Sequence, residues 1–433
     1  MNHARRTIQT GGLVMLLMGL ALGLLLPPHA EAQTPAGSAE EADPRSLIPP
    51  GEEARMEARP VDPERIRYQP GKGLELRSED GDFRLQTRIR LQTLYELVNE
   101  DGGAPPAHQL TLRRARLAFA GSFFGEDNRF KFELAVSPRD EGIRDNLADR
   151  PSQTPLLDFY LEFRQLRDLT LRIGQYKLPF NRQRVVSSGN LQMVDRSLLN
   201  ARFNIDRDVG FDLRSPDLLG LGLLRYYAGV YINRGRGSVG LDDFGLLYVG
   251  RVELLPLGMF SDYSEADFER GAPRLSLGLS YAYADRARRE RINTGSMPND
   301  GGTTDVHVLE ADALFMWGGL SMMSEIAYRS GTRNEGPALP AGEVADLAAN
   351  GLGFVAQAGY LLPGMPLEAS ARYGMIRGVG TETSMDDENE LGLGLSYYFA
   401  RHPFKVQADL FRLWEDEFGA GETRLRVQLQ GSL

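Results

Sequence analysis

The sequence has no cysteine, and only four of its 49 basic residues are lysine, the others being arginine. The absence of cysteine excludes a disulfide framework and thiolate metal sites. The five histidines are far apart, and none has a neighbour at the spacing of a zinc-binding pair. We therefore expect neither a metal nor a cofactor.

Motifs for catalysis are also missing. Gly235–Gly240 fits the G-x-G-x-x-G pattern, but a β-segment follows it, so no helix N-terminus would bind a pyrophosphate there. Neither a G-x-S-x-G elbow nor an H-E-x-x-H motif occurs. The formal net charge of −10 argues against a nucleic-acid-binding protein. The sequence therefore does not predict an enzyme.

Long apolar runs are confined to the N-terminus. A basic pair, Arg5 and Arg6, precedes the apolar segment Gly11–Leu26, and Ala30-Glu31-Ala32 fits a cleavage site. These features predict a signal peptide over residues 1–32. An uncleaved anchor is the alternative, which the shortness of the run disfavours, because a spanning helix needs roughly 18 or more apolar residues. The next residues, 33–72, are rich in Pro, Glu, Ala and Gly and are predicted to form a flexible periplasmic segment.

Residues 73–433 are predicted to form one domain, in which segments of alternating apolar and polar side chains begin at about Phe83. In Leu157–Phe163 the apolar residues alternate with Asp158, Tyr160 and Glu162. A period of two is typical of a β-strand with unlike environments on its two faces. Apolar residues outside and charged residues inside suit a strand between lipid and water. Since no spanning helix is predicted, a membrane-spanning body must be a closed β-barrel.

Sixteen segments alternate in this way, so the predicted fold is all-β, a 16-stranded antiparallel transmembrane β-barrel. Long polar links alternate with short ones, which predicts that both chain ends lie on the periplasmic side. One link breaks this rule: Pro256–Pro273 is long where a short link is expected. The segments lie at about residues 83–93, 110–120, 129–137, 157–164, 169–177, 209–215, 222–232, 246–255, 274–284, 305–316, 320–329, 351–361, 367–377, 389–400, 404–414 and 422–433.

Positive charge is concentrated in one part of this predicted barrel. Phe83–Asp208 carries twenty basic and sixteen acidic side chains, although the whole chain is net negative. Guanidinium groups stay charged and offer paired donors to phosphate or carboxylate oxygens, and along a hydrated lumen they form successive weak anion sites. The alternative is that they pair with acidic residues such as Glu96, Glu133, Asp158 and Glu162 and only order the lumen. Seven cations lie on the polar phase of the strands: Arg84, Arg88, Arg90, Arg114, Arg116, Lys131 and Arg172.

The long link after the fifth predicted strand adds further candidates for anion binding at a constriction. It combines arginines with hydroxyl groups in a polar stretch. Its candidate residues are Arg182, Arg184, Ser187, Ser188, Arg196, Arg202 and Arg207.

Several motifs resemble the phosphate-selective porin O/P family of Gram-negative outer membranes. They include GQYKLPF at Gly174–Phe180, the run Ser187–Ser197 and NIDRDVGFDL at Asn204–Leu213. Leu112–Leu117 and Gly71–Gln92 are similar too. The similarity covers most of residues 70–433.

The resemblance implies a trimeric barrel whose third outer loop, here Leu178–Asp208, folds into the lumen as a constriction. It also implies conduction of phosphate or polyphosphate along an arginine ladder. The sequence departs from the family in two respects, because it has too few lysines for a lysine-rich vestibule and ends in Leu433 rather than an aromatic residue.

We therefore predict a passive outer-membrane channel for small inorganic anions such as phosphate, in contact with membrane lipid and lipopolysaccharide. A general porin without phosphate selectivity is one alternative. A non-conducting barrel used for adhesion or as an enzyme scaffold is another. The acidic run Asp386–Glu390 is interpreted as a solvated face, with divalent-cation bridging to lipopolysaccharide as the alternative.

Overall fold

A computed structural model describes residues 65–103, 105–141, 155–237, 245–337, 339 and 342–433. The predicted signal peptide and most of the predicted flexible segment lie outside the described residues. Eighteen strands and three short helices are present in the described part of the chain. The strands are β1 Ile66–Gln69, β2 Gly73–Arg77, β3 Arg84–Glu100, β4 Ala107–Ser122, β5 Asn128–Ala135, β6 Leu156–Phe163, β7 Thr170–Lys177, β8 Arg207–Ser215, β9 Leu224–Tyr231, β10 Leu247–Leu254, β11 Arg274–Ala287, β12 Thr303–Trp317, β13 Leu320–Asn334, β14 Gly351–Leu361, β15 Leu367–Gly378, β16 Glu388–Ala400, β17 Phe404–Trp414 and β18 Gly421–Ser432. The helices are α1 Pro138–Glu141, α2 Arg182–Val185 and α3 Leu198–Phe203, and a 3₁₀ turn occupies Leu218–Gly220.

Strands β3 to β18 form a closed antiparallel barrel of sixteen strands. Each strand pairs with the next along the chain, and β18 returns to pair with β3 through partners such as Leu425 and Leu97. Closure leaves no strand edge unpaired, which a lipid environment requires. Each of the sixteen predicted segments overlaps one of these strands, so the predicted barrel is confirmed. Among the described residues, no helix is long and apolar enough to span a membrane.

The alternation of side chains determines which face of each strand is covered. On β3 the outward side chains of Ile89 and Leu91 are 38% and 46% exposed, whereas the inward side chains of Arg90 and Gln92 are 8% and 0% exposed. The polar faces are thus the buried ones. Inside the barrel they contact polar segments of the chain, while the apolar faces are left for lipid.

A small hairpin precedes the barrel. Strand β1 pairs with β2, and β2 pairs with the start of β3, where Leu76 lies opposite Leu85. Strand β1 falls inside the segment 33–72 that was predicted to be flexible, so that prediction is wrong for Ile66–Gln69. The strand forms because β2 extends the sheet beside β3 and offers its free edge to β1.

The link between β10 and β11, the exception to the alternation of link lengths, is an interior segment rather than a simple turn. Asp262 and Glu265 in this link are 2% and 1% exposed. The backbone N–H of Gln192 donates to Glu265 at 2.9 Å, and the amide of Asn190 donates to the carbonyl of Tyr263 at 3.3 Å. Its length is therefore explained by contacts with the long connection between β7 and β8.

Strand length varies around the barrel. The six neighbouring strands β5 to β10 have eight or nine residues each. Strands β11 to β13 on the following part of the wall have 14 or 15 residues. One side of the wall is therefore much shorter than the other.

Candidate functional site

The connection between β7 and β8, residues 178–206, is bonded to the polar faces of distant strands. One anchor near its start is Arg182, whose side chain is fully buried. Nε of Arg182 donates to Asp312 on β12 at 2.5 Å, and the two Nη atoms donate to Asp262 at 3.2 Å and to Ser276 at 2.7 Å. Arg182 was predicted to bind anions, but the structure places it in a closed set of ion pairs that holds the connection to the wall. All its donor groups are engaged.

Further along, the same connection is bonded to strands β15 to β17. Backbone N–H groups donate to buried carboxylates, so the chain is fixed by its main chain as well as by side chains. These bonds run from Val194 N–H to Asp409 at 3.0 Å, from Leu198 N–H to Glu390 at 3.0 Å and from the Gln192 side chain to Glu368 at 2.8 Å. The connection therefore spans from β7 to the strands on the far side of the ring.

A cavity of about 230 Å³ lies between this connection and strands β4, β6 and β8, and we name it the arginine cavity. Seven of its twelve lining residues are arginine and only two are acidic. The lining residues are Arg113, Arg114, Arg116, Asp140, Leu157, Arg184, Arg196, Asp206, Arg207, Arg236, Asn293 and Thr294. Five of the predicted site residues meet here, namely Arg114, Arg116, Arg184, Arg196 and Arg207.

Two consecutive arginines reach the cavity from β4 because the strand contains a β-bulge. The register between β3 and β4 shifts after the pair Gln92 and Arg114, so Arg113 is the extra residue. Nη2 of Arg113 donates to Oδ2 of Asp195 at 2.6 Å, and Nη2 of Arg114 donates to Oδ1 at 3.2 Å. Although burial raises the pKa of Asp195, the charges of Arg113 and Arg114 hold it well below its usual range. Strict alternation places Arg113 on the outward face, so the sequence pattern did not identify it as a site residue.

Arg184 and Arg207 share one carboxylate at the edge of the cavity. Nε of Arg184 donates to Oδ1 of Asp206 at 2.9 Å, and Nη1 of Arg207 lies 3.7 Å from the same oxygen. Arg207 also donates to Asp158 at 2.6 Å. Burial raises the pKa of Asp206, but the two guanidinium charges outweigh it and hold that pKa below its usual range.

Arg196 differs from its neighbours because its bonds are to the main chain. Nε donates to the carbonyl of Gln183 and Nη2 to that of Val186, each at 2.7 Å. Within the described residues no carboxylate forms an ion pair with it. Burial, together with the charges of Arg184 and Arg114, holds the pKa of Arg196 well below its usual range. The guanidinium of Arg196 thus lies beside two other arginines without a carboxylate partner among the described residues.

A second cavity, of about 390 Å³, lies at the end of the barrel where the links are short, and we name it the turn-side cavity. Five cations and two carboxylates line it. The cations are Arg84, Arg129, Lys131, Arg164 and Arg172, and the carboxylates are Glu126 and Glu162. Arg172 donates to Glu162 and stacks on Tyr160 with its guanidinium carbon 4.1 Å from the ring centre. The predicted residues Arg84, Lys131 and Arg172 thus lie in one place, and Arg129 and Arg164 were missed.

The remaining predicted residues lie around these cavities. Arg90 donates to the hydroxyl of Ser187 at 2.7 Å, which joins β3 to the connection. Ser188 is buried, and among the described residues its hydroxyl has no hydrogen-bond partner. Arg202 pairs with Glu388 on β16, away from both cavities. Arg88 is exposed on the inner phase of β3.

A closed barrel of sixteen strands, with apolar outer faces and charged cavities inside, is the architecture of an outer-membrane porin. The chain belongs to the phosphate-selective porin O and P family, whose pattern matches residues 85–412. It is therefore an outer-membrane porin, and both the family and the fold are those of a channel rather than of an enzyme.

Solved structures with the same fold have low sequence identity. An anion-selective porin from Comamonas acidovorans is 13% identical with a TM-score of 0.53, covering 81% of this chain and 100% of that one. The outer membrane channel DcaP of Acinetobacter baumannii is 12% identical with a TM-score of 0.50, covering 83% and 99%. A loop L8 deletion mutant of OmpT of Vibrio cholerae is 10% identical with a TM-score of 0.51, covering 81% and 100%. No curated protein sequence matches the chain.

Proposed function

We propose that this porin passes small oxyanions, with phosphate as the favoured solute, and that the arginine cavity is its selective site. The observation that carries the proposal is the composition of that cavity, where seven arginines face two carboxylates. A hydrated cavity of one sign attracts counter-ions and raises their local concentration. The similarity in fold to a porin described as anion-selective also supports a preference for anions.

Phosphate suits the donors that the cavity offers. Guanidinium groups bind phosphate oxygens through paired, charge-assisted hydrogen bonds. Arg196 is the best placed donor, because its bonds to backbone carbonyls leave its charge without a carboxylate partner among the described residues. Arg184 and Arg114 add to the positive potential beside it. These residues, with Arg116 and Arg207, are the proposed anion ligands.

A second candidate function, a general porin with weak selectivity, is favoured by a different cavity. This cavity measures about 740 Å³ and lies at the ends of β3 and β16 to β18. Seven carboxylates line it, and they would attract cations toward that part of the channel. The acidic lining residues are Glu100, Asp101, Glu388, Glu415, Asp416, Glu417 and Glu422.

Chloride current through the purified porin in a planar bilayer separates the two candidates. A selective anion site predicts that added phosphate reduces the chloride current and that the reduction saturates as the site fills. An uncharged solute at the same concentration is the control and should leave the current unchanged. A current that follows only the bulk conductivity of the solution would support the general porin and contradict the proposed site.

We also propose that the barrel forms a homotrimer through its short-strand side. An eight-residue strand is about 26 Å long, and a tilt of about 45° reduces the span to about 19 Å, less than the apolar band of about 25 Å. A second copy of the chain would cover this side better than lipid does. Phe119, Phe132 and Phe159 form an outward row here, with ring centres 6.0 and 6.2 Å apart.

Two substitutions test the trimer. Phe159→Asn on the short side should weaken the trimer in native mass spectrometry. Leu393→Asn, on the outward face of β16, is the matched control because Leu393 is even more exposed than Phe159, at 64% against 51%. Equal behaviour of the two variants, or a monomeric wild-type protein, would contradict the proposed interface.

A further inference from the structure

Two carboxylates lie between the arginine cavity and the turn-side cavity. Glu133 on β5 is directly opposite Asp158 on β6 and opposite Ala118 on β4. Lys131 lies on β5 two residues closer to the short links than Glu133, and it lines the turn-side cavity. Arg116 lies on β4 two residues further from the short links than Ala118, and it lines the arginine cavity. Glu133 and Asp158, which we name the carboxylate pair, therefore occupy the level at which one cavity ends and the other begins.

The carboxylate pair is bonded to cations of both cavities. Glu133 lies 2.6 Å from Nζ of Lys131 and 3.2 Å from Nη1 of Arg116. Asp158 lies 2.5 Å from the same Nζ and 2.6 Å from Nε of Arg207. Both carboxylates are buried, at 5% and 4% exposure. Arg90 also lies 4.0 Å from Glu133, so one lysine and three arginines share two negative charges at this level.

We infer that the carboxylate pair divides the cationic interior into two separate anion sites and weakens both, so that an anion is passed on rather than retained. This inference rests on the proposed function, since it concerns how the anion leaves the arginine cavity. A channel conducts only if its sites bind strongly enough to admit the solute and weakly enough to release it. The carboxylates act by occupying donors of Lys131, Arg116 and Arg207 that would otherwise bind the solute.

The neighbouring strands at this level support the same arrangement. Ala118 offers only a methyl group beside Glu133, and Arg88 on β3 lies opposite Ala118. Arg88 is exposed within the barrel. Across β3 to β6 a passing anion would thus meet one exposed arginine beside two carboxylates, which limits its residence there.

Neutralising Glu133 is the direct test. In Glu133→Gln, we expect the phosphate concentration that half-saturates the reduction of chloride current to fall by about tenfold, equal to about 1.4 kcal/mol of tighter binding. The single-channel current at saturating phosphate should fall as well, because release becomes slower. The variant should still fold, because the cations that bind Glu133 have other partners. Lys131 keeps its ion pair with Asp158, and Arg116 keeps its two hydrogen bonds to Asp140 at 2.5 and 2.6 Å.

Asp158→Asn is the independent second variant and should change affinity and current in the same directions. The double variant Glu133→Gln with Lys131→Gln removes one charge of each sign, so its phosphate affinity should return toward the wild-type value. Glu382→Gln, at an exposed position outside both cavities, is the control for net charge and should behave as the wild type. Heat-modified migration in detergent gels shows that each barrel is folded.

The outcomes separate this inference from the proposed function. If phosphate does not reduce the wild-type chloride current, the proposed function fails. If the wild-type current responds but folded Glu133→Gln and Asp158→Asn have wild-type affinity and current, only the inference on the carboxylate pair is overturned. Weaker phosphate binding in either variant would also overturn it, because the carboxylates would then support the site.

Discussion

Arg182 and Asp312 form an ion pair that solvent does not reach: Nε lies 2.5 Å from Oδ1, and both side chains are fully buried. The two residues are 130 positions apart in the chain. Their contact joins the start of the β7–β8 connection to strand β12 on the far side of the barrel. Asp312 accepts a second bond from Arg251 at 2.6 Å, so two guanidinium groups converge on one carboxylate.

Removing this guanidinium should loosen the connection. We expect Arg182→Ala to lower the free energy of unfolding by about 3–5 kcal/mol, because buried carboxylates lose a partner. Open-channel current should also fluctuate more, since the connection loses one of the anchors near its start. Thermal unfolding in detergent and single-channel recording measure the two effects. Wild-type stability and current noise would show that the ion pair does not hold the connection.

Arg184 should behave differently, although it lies only two residues further. Arg184 lines the arginine cavity. When its guanidinium is removed, Asp206 still has Arg207 as a partner. We expect Arg184→Ala to raise the phosphate concentration needed to reduce the chloride current by about tenfold, the effect of losing one charge-assisted hydrogen bond. Thermal unfolding should stay close to wild type. An unchanged phosphate effect would remove Arg184 from the proposed ligands.

The β-bulge at Arg113 leads to a third prediction. Arg113→Gln removes one positive charge from the arginine cavity and leaves Asp195 with Arg114 as its remaining β4 partner. We expect a lower chloride-to-potassium permeability ratio, by about two- to fivefold, and Arg114→Gln should lower it similarly. Zero-current potentials in a salt gradient give both ratios. If only Arg114→Gln lowered the permeability ratio, the charge of Arg113 would not contribute to anion selectivity.

His402, in the turn between β16 and β17, predicts how stability varies with pH. Its Nε2 lies 2.9 Å from the hydroxyl of Ser264, and its Nδ1 lies 3.3 Å from Nζ of Lys405. Burial, and then the charge of Lys405, holds the pKa of His402 well below its usual range. The folded state therefore keeps the ring neutral, while the unfolded state takes up a proton below about pH 6.5.

Stability contributed by this neutral ring is present above about pH 6.5 and is lost as the pH falls below it. We expect the thermal unfolding midpoint to decrease between pH 7.5 and pH 5, and His402→Gln to reduce that decrease. For the wild type and for His402→Gln, the quantity compared is the difference between the unfolding midpoints at pH 7.5 and at pH 5. A variant that loses as much stability in acid as the wild type would assign the pH effect to other groups.

Much of the fold could be predicted because lipid and water impose a period of two on every strand. The sixteen strands were identified from that alternation. The unexpected length of Pro256–Pro273 marked a link that packs against the β7–β8 connection. The weakly periodic hairpin at Ile66–Gln69 was missed, because its pairing depends on β2 and not on its own pattern.

The site could be predicted only in part, because pairing between distant residues is not visible in a single sequence. All the arginines that line the arginine cavity and the turn-side cavity, except Arg236, lie in the arginine-rich range Phe83–Asp208. Alternation could not identify Arg113, which faces inward only through the bulge. It also could not distinguish Arg182, which is paired with Asp312, from Arg196, which lacks a carboxylate partner among the described residues.

The zero-current potential of the wild-type porin across a potassium chloride gradient tests the central claim most directly. If the arginine cavity selects anions, the wild-type potential should have the sign that chloride preference gives. In the folded double variant Arg114→Gln with Arg196→Gln, this potential should move toward zero. A potential at zero or of the opposite sign in the wild type would contradict anion selectivity. A double variant that keeps the wild-type potential would contradict the placement of selectivity in this cavity.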